Sequence, residues 1–465
     1  MNELIQKTAL ELASGVANKS FSAKEVTDAH LQRIADVNPD VNAVVRVLEE
    51  MAYEAAARVD RAVAAGDTLG PLAGVPITIK ENIDVVGSPT TQGVVALAEA
   101  MPSVNSPIVD RVLAAGAVPV GRTNLPEMGL RLHTDNVLHG PTINPWNAAH
   151  TTGGSSGGEG VALATGMSAL GLGNDIGGSL RNPATCCGIA SIKPTQGVVP
   201  HAVTIPFEDE PISYQQMLTD GPMARTVADV RLGLNVLRGY HPRDPNSVNA
   251  EQNTAQGPLR IAVMAEPSGG SIDKRIAALT REAAGALEAE GCIVTEAEPP
   301  NFSETIELWF DLLDNDFSLV MPLVSGLMSK DPMTFLEDFR TGRGTPSTED
   351  YASTLTRRMS FARSWANFYS NYDILLSPTW TQLPYTVGWD IAQPGRAIET
   401  MTQARCVLPG NALGLPSACV PAGLVDGLPV GVMLTGARFS DYLCLDAAEI
   451  IEAALGTNTP INPFS

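Results

Sequence analysis

Hydrophobic residues recur at helical spacing through residues 8–65, so the chain opens with predicted helices. Ser22 with Glu25 three positions later forms a capping-box pattern, which predicts the first residue of one of them. We expect the segment containing Pro39 to end that helix, because proline interrupts helical hydrogen bonding. Residues 44–65, rich in alanine and charge, predict a further helix.

The pattern then changes to an alternation of apolar and polar positions. Over residues 70–86, Val75, Ile77 and Ile79 alternate with more polar positions, and Lys80 stands near the end of the run. This period of two predicts a strand with two distinct faces. Further predicted elements are helix 107–115, strand 118–121, helix 159–165, strand 168–173, paired strands 417–421 and 430–435, and helix 441–454.

This alternation of helices and strands predicts an α/β fold with one mixed sheet flanked by helices. We expect a single domain over residues 1–465, because the sequence has no repeat and no long linker. Its expected parts are N-terminal helices (1–66), a core that carries the chemistry (67–270), a helical insertion rich in large apolar residues (300–372) and a C-terminal part of the core (373–465).

The net charge narrows the classes of partner. The sequence has 51 acidic and 30 basic residues, a formal charge of -21, which disfavours nucleic acid as a partner.

No cationic leader precedes an apolar segment, and no run reaches the roughly 18 apolar residues of a membrane span. The six cysteines lack metal-ligand spacing. We therefore expect a cytoplasmic protein with reduced thiols, no membrane partner, no metal and no cofactor.

A glycine-rich segment at residues 152–160 contains Ser155 and has more than one interpretation. A phosphate-binding loop would need a lysine where Glu159 stands. The pattern Gly-x-Ser-x-Gly around Ser155 also matches a nucleophile elbow, which requires an acid and then a histidine downstream. Only His201 and His241 follow Ser155, so the final 224 residues (465 minus 241), where such folds normally place the triad histidine, contain none. The elbow is therefore better interpreted as a chance match.

A second glycine-rich segment, residues 171–181, places Ser179 directly after two glycines. Amides of Ile176, Gly177, Gly178 and Ser179 in a tight turn can all point at one anion, as an oxyanion hole requires. This arrangement beside a serine is typical of acyl transfer. A plain strand-to-helix loop with Ser179 as the N-cap is the alternative, and a lone Gly-Gly-Ser would favour it.

Three segments together, residues 75–83, 153–160 and 173–184, resemble the amidase signature family. Additional matching motifs at residues 121–127, 192–195, 220–223, 414–417 and 426–431 extend the resemblance over nearly the whole chain except its middle. The resemblance implies a Ser-Ser-Lys triad in which Lys80 is the base, Ser155 the bridging serine and Ser179 the nucleophile. It also implies a cis peptide bond before Ser155 and an oxyanion hole at the amides of residues 176–179.

Three positions depart from the usual family pattern. Arg122 stands where lysine is more common, Asn174 where serine or threonine usually precedes the aspartate, and Met433 where glutamine is frequent. A free lysine has a pKa of about 10.4, so Lys80 must be desolvated to act as a neutral base. The end of an apolar strand offers that environment.

The predicted function is hydrolysis of amide-type carbon-nitrogen bonds through an acyl-Ser179 intermediate, releasing a carboxylate and an amine, ammonia or a hydrazine derivative. Alternatives are an acyl-hydrazide hydrolase (hydrazidase) or an esterase using the same triad, and, from another class, a non-catalytic subunit of the same fold. The expected partner is a small amide or hydrazide, and homodimer formation is left open. Large apolar residues of the insertion are either core or a pocket for an aromatic or apolar acyl group: Trp309, Phe310, Leu313, Phe317 and Met321.

Overall fold

One eleven-stranded mixed sheet organises residues 1–464, the part of the chain that the computed structural model describes. Its strands are β1 (Val44–Val47), β2 (Pro76–Lys80), β3 (Val118–Thr123), β4 (Leu170–Asp175), β5 (Ala190–Lys193), β6 (Thr219–Ala224), β7 (Arg260–Val263), β8 (Ile293–Glu296), β9 (Ile374–Pro378), β10 (Ser417–Val425) and β11 (Leu428–Gly436). The order across the sheet is β1-β3-β2-β4-β6-β5-β10-β11-β9-β7-β8. The predicted fold class, a mixed sheet flanked by helices, is confirmed.

The helices are α1 (Glu3–Gln6), α2 (Ala9–Ala17), α3 (Ala23–Val41), α4 (Glu49–Ala65), α5 (Pro107–Ala114), α6 (Gly157–Ala164), α7 (Arg181–Cys187), α8 (Ile212–Met217), α9 (Val227–Leu237), α10 (Lys274–Ala289), α11 (Phe302–Val324), α12 (Lys330–Phe339), α13 (Thr348–Phe368), α14 (Arg396–Gln403), α15 (Leu408–Ala412) and α16 (Asp441–Leu455). The predicted helical insertion corresponds to α11–α13, between β8 and β9. Within residues 1–464, none of the helices combines the length and apolar character needed to cross a bilayer.

Strands β2, β3 and β4 lie side by side and are buried along their whole length. β2 runs parallel to both neighbours, so the carboxyl ends of all three strands meet at one edge of the sheet. Lys80 is the last residue of β2, and Asn174 and Asp175 are the last two of β4. Parallel pairing therefore brings polar residues from distant segments to one place.

Two glycines let α6 approach β4 closely. A Cβ at Gly171 would lie 2.4 Å from Glu159 Oε2, and one at Gly173 would lie 2.9 Å from Ser156 Oγ. Side chains at either position would push the N-terminal turn of α6 away from the sheet. The close packing places the glycine-rich segment before α6 over the ends of β2 and β4.

The N-terminal region corrects two sequence predictions. The capping box of Ser22 and Glu25 is present at the start of α3, but that helix continues through Pro39. The side chain of Asn38 accepts from the amides of Ala43 and Val44 and turns the chain after the helix. The predicted helix 44–65 was wrong over its first residues, because they form edge strand β1, antiparallel to β3, ahead of α4.

Candidate active site

Lys80 and Ser155 lie in direct contact at the carboxyl edge of the sheet. Lys80 Nζ is 2.7 Å from Ser155 Oγ and also donates to Asn174 Oδ1 at 2.8 Å. The Lys80 side chain is fully buried. Asn174, one of the departures from the family pattern, thus supplies the second polar contact of this lysine.

Burial is the dominant influence on the charge of Lys80. It lowers the pKa of Lys80 from 10.5 to about 7, although the negative charges of Asp175, Asp220 and Glu159 partly oppose the shift. A comparable fraction of neutral and charged lysine therefore exists near neutral pH. The desolvation that a lysine base requires is present in the structure.

Arg122, a second departure from the family pattern, holds the end of β2 in place. Its buried guanidinium donates to the backbone carbonyl oxygens of Ile79 at 3.3 Å, Lys80 at 3.2 Å and Ile83 at 2.6 Å. The planar fork of arginine suits this set of divergent carbonyl groups. These bonds fix the backbone that carries Lys80.

Glu159, which stands where a phosphate loop would have lysine, is a buried structural link. It accepts from Thr78 Oγ1 at 2.6 Å and from Thr123 Oγ1 at 2.8 Å, tying α6 to β2 and β3. Burial raises the pKa of Glu159 to about 8, while these two hydrogen bonds oppose the shift. The link keeps the start of α6 seated over the sheet.

Ser155 and Ser179, the two serines predicted to be catalytic, border one cavity, which is described below as the more polar of two. The Gly154–Ser155 peptide bond is cis, as the resemblance implied. Ser155 and Ser179 both line the cavity, and the Ser156 amide donates to the Ser179 carbonyl oxygen at 3.3 Å. The structure thus brings the segments of Lys80, Ser155 and Ser179 together, while the individual roles of these residues stay predictions.

Groups outside residues 175–179, here called the oxyanion loop, donate hydrogen bonds to carbonyl oxygens of that loop. Asn411 Nδ2 donates to the Asp175 carbonyl oxygen at 3.0 Å and Trp309 Nε1 to that of Ile176 at 2.7 Å. The Asn182 side chain donates to the Gly177 carbonyl oxygen at 3.1 Å, and its backbone amide donates to that of Gly178 at 2.6 Å. None of these three side chains was predicted from the sequence to anchor the loop, although Trp309 was singled out as a core or pocket residue.

In a trans peptide the N–H points opposite to the C=O, so these anchors also orient the amides of the oxyanion loop. The amides of Ile176, Gly177 and Ser179 have no acceptor among residues 1–464. Of the four amides predicted to form the hole, that of Gly178 already donates to Asp175 Oδ1 at 2.7 Å. The other three amides stay the predicted donors to an oxyanion.

A buried ion pair between Arg181 and Asp175 supports the oxyanion loop. Arg181 donates to Asp175 Oδ1 at 3.0 Å and to Asn411 Oδ1 at 2.6 Å. Burial would raise the pKa of Asp175, but the charge of Arg181 and its hydrogen bonds outweigh burial and hold that pKa at about 2. Met433 Sδ, the third departure from the family pattern, lies 3.3 Å from Arg181 Nη1. These contacts give Asp175 and Arg181 a structural role in supporting the loop.

Two cavities meet at Ser179. The apolar cavity is bordered by the oxyanion loop and by large side chains of the insertion and α14: Trp309, Leu313, Phe317, Phe335, Leu336, Phe339 and Met401. Arg131 also borders it, but its guanidinium is paired with Asp390 at 2.6 Å. The apolar cavity therefore suits an aromatic or branched aliphatic group close to Ser179.

The second cavity is more polar and is also lined by residues of the insertion. Ser155, Asn174, His201, Glu210 and Asp316 line it, together with Phe317 and Met321. Of the five large apolar residues singled out in the sequence, four thus border a cavity at Ser179. Phe310 instead packs against the ring of Phe339, with centroids 5.1 Å apart.

The carboxylates beside His201 disfavour it as a base for Ser155. Its ring nitrogens each lie 3.0 Å from a carboxylate oxygen, one of Glu210 and one of Asp220. Burial alone would lower the pKa of His201, but the two carboxylates outweigh burial and raise it well above its usual value. A charged imidazolium cannot accept a proton. The other downstream histidine, His241, receives the Arg243 amide at Nδ1 and does not line either cavity.

Comparison with known proteins agrees with this geometry. The family profile described as Amidase matches residues 25–445. An indoleacetamide hydrolase of Bradyrhizobium diazoefficiens is 38% identical over 456 residues, covering 97% of this chain and 87% of that protein. An acylamidase of Rhodococcus erythropolis is 32% identical, covering 96% and 95%. The crystal structure of a bacterial aryl acylamidase aligns with a TM-score of 0.84 at 27% identity, covering 96% of both chains. The chain belongs to the amidase signature family and hydrolyses amide carbon-nitrogen bonds.

Proposed function

We propose that this hydrolase uses Ser179 as the nucleophile and Lys80, through Ser155, as the base. The observation that carries the proposal is the buried Lys80 Nζ at 2.7 Å from Ser155 Oγ, with a pKa of about 7. A neutral amine at this position accepts the Ser155 proton while Ser155 accepts the proton of Ser179. The arrangement activates a serine without histidine.

The reaction proceeds through two tetrahedral intermediates. Ser179 Oγ attacks the amide carbon, and the free amides of Ile176, Gly177 and Ser179 stabilise the resulting oxyanion. Protonated Lys80 returns its proton through Ser155 to the leaving nitrogen as the carbon-nitrogen bond breaks. Water then attacks the Ser179 ester, and a carboxylate leaves as Ser179 regains its proton.

The apolar cavity is the proposed site of the acyl group. Trp309, Leu313 and Phe317 border it beside Ser179, so an arylacetyl or similar apolar acyl group would be desolvated next to the nucleophile. One relative is an indoleacetamide hydrolase, whose name describes an amide with an aromatic acyl group. We extend that substrate class to this chain.

Acyl hydrazides and esters would form the same acyl-Ser179 and differ only in the leaving group, so both belong in the substrate panel. We also propose that the enzyme acts on a small molecule in the cytoplasm and without nucleic acid. The charge of -21 and the free state of the six cysteines support this.

Substrate assays combined with active-site labelling test the proposal. Phenylacetamide, phenylacetic hydrazide, methyl phenylacetate and propionamide would be compared as substrates, and labelling by a fluorophosphonate would be followed by intact mass. We expect labelling and turnover in the wild type and in Ser191→Ala, a control that removes a buried hydroxyl without a partner among residues 1–464. Ser179→Ala should lose both, and Lys80→Met should lose turnover by about 10²- to 10⁴-fold. Turnover by a folded Ser179→Ala variant would refute the assignment.

A further inference from the structure

Trp309 belongs to the helical insertion, yet it reaches the oxyanion loop. It lies in α11, and its indole is 4% exposed. Its Nε1–H donates to the Ile176 carbonyl oxygen at 2.7 Å, a contact between residues 133 positions apart in the chain. The same indole borders the apolar cavity. One side chain therefore contacts both the loop and the proposed acyl site.

This hydrogen bond determines the direction of one free amide. The Ile176–Gly177 peptide is trans, so a carbonyl drawn toward Trp309 leaves the Gly177 N–H facing away from the indole. The Gly177 amide has no acceptor of its own among residues 1–464, unlike that of Gly178. Trp309 is consequently the side chain that fixes this peptide.

The indole and the loop also fit each other sterically. A Cβ at Gly177 would lie 2.6 Å from Trp309 Cζ2, so glycine is needed for the indole to pack on the loop. Edge-to-face contacts hold the indole from its other sides, with centroids 5.3 Å from Phe310 and 6.1 Å from Phe339. The insertion thus supplies a rigid aromatic support for the peptide.

We propose that Trp309 is a positioning residue for the oxyanion hole and that it joins the hole to the site of an aromatic or apolar acyl group. The proposal rests on the assignment of Ser179 as the nucleophile. An acyl group in the apolar cavity packs against the same indole that orients the Gly177 amide. The helical insertion then contributes to stabilisation of the transition state as well as to the shape of the pocket.

Trp309→Phe separates these two contributions, because it keeps an aromatic ring and removes the N–H. Loss of one neutral hydrogen bond corresponds to a fall in kcat of about 3- to 10-fold. The fall should be similar for phenylacetamide and propionamide, with little change in KM. The affinity for benzylboronic acid, which forms a tetrahedral adduct with serine, should fall by the same factor, whereas inhibition by phenylacetate should not change.

Trp365→Phe is the matched control, since the Trp365 indole N–H is buried without a partner among residues 1–464. It should leave kcat, KM and boronate affinity unchanged. Phe335→Ala provides the contrast, because it enlarges the apolar cavity and should raise KM for phenylacetamide only. Thermal unfolding and the fluorophosphonate-labelled fraction would report the amount of folded enzyme.

An unchanged kcat in Trp309→Phe, or a rise in KM confined to phenylacetamide, would overturn the proposal. Should that variant not fold, Phe339→Leu loosens the indole but keeps its N–H, and kcat should fall on both substrates. An unaltered kcat there would equally overturn it. Activity in Ser179→Ala would instead show that the underlying mechanism is wrong, so the two failures can be distinguished.

Discussion

Asn174 allows the proposed role of Lys80 to be tested through the pH dependence of the reaction. With the pKa of Lys80 at about 7, kcat/KM should rise with pH and reach half its limit near pH 7, because only the neutral amine accepts a proton. Asn174 Oδ1 accepts from Lys80 Nζ at 2.8 Å, and this bond is stronger when the lysine is charged. Asn174 therefore affects the midpoint of the profile.

The size of the effect follows from the hydrogen bond. Bonds to charged groups contribute about 1.5 to 3 kcal/mol and bonds to neutral groups about 1 kcal/mol, so the charged form of Lys80 gains about 1 kcal/mol more. One pKa unit corresponds to about 1.4 kcal/mol. Asn174→Ala should therefore move the midpoint down by somewhat less than about one unit. Asn174→Asp places a carboxylate beside the amine, raises the pKa of Lys80 and moves the midpoint above 7.

The assay is kcat/KM for phenylacetamide between pH 5 and 9.5, because this ratio reports the free enzyme. Asn371→Asp, an exposed substitution of the same type, is the control and should leave the midpoint in place. Two results would contradict the reasoning: midpoints that stay fixed in both Asn174 variants, or an aspartate variant that titrates at lower pH than the wild type. Either would mean that the ionisation of Lys80 does not control the rate.

Two further substitutions test the ion pair beneath the oxyanion loop and the alternative of a histidine base. Arg181→Met leaves the buried carboxylate of Asp175 unpaired, which should lower the free energy of unfolding by about 3 to 5 kcal/mol in urea titrations; Arg275→Met breaks exposed ion pairs and should cause no measurable change. His201→Gln should keep kcat/KM within about tenfold of the wild type, with the midpoint of the pH profile still near 7, and a loss of about 10²-fold or more would instead indicate general base catalysis by histidine.

The candidate catalytic residues were predicted from short motifs that jointly resemble the amidase signature family, and no single motif would have been sufficient. Lys80 closes an alternating strand, and Ser155 and Ser179 each lie beside glycines in short segments. Strands β2 and β4 were also predicted, β2 from the alternation of Val75, Ile77 and Ile79 with more polar positions and β4 as strand 168–173. The predicted boundaries of α5 and α16 agree with the structure to within one residue.

Other parts of the fold depend on contacts that no local pattern encodes. Val44–Val47 is rich in β-branched residues, but the alanine-rich helix that follows dominated the prediction. β5, β7 and β8 have only four residues each, which is too short for a clear period. β5 and β7 each pair with a longer neighbour, whereas edge strand β8 pairs only with β7 among residues 1–464. The anchors of the oxyanion loop are harder still to predict, since Trp309 and Asn411 lie 133 and 236 positions from their acceptors.

The identity of residue 174 illustrates how the site meets two opposing requirements. Lys80 needs a partner that holds its Nζ toward Ser155, yet a carboxylate in this buried position would keep the amine charged. An amide oxygen only accepts hydrogen bonds, whereas the hydroxyl that is usual at this position in the family both donates and accepts. A neutral Lys80 must therefore direct an N–H toward Asn174 Oδ1, which leaves its lone pair free for the Ser155 proton. Because Asn82 Nδ2 also donates to Asn174 Oδ1, at 3.3 Å, the orientation of the amide is fixed from a second direction. Asparagine thus orients the proposed base without adding a charge that would keep it protonated.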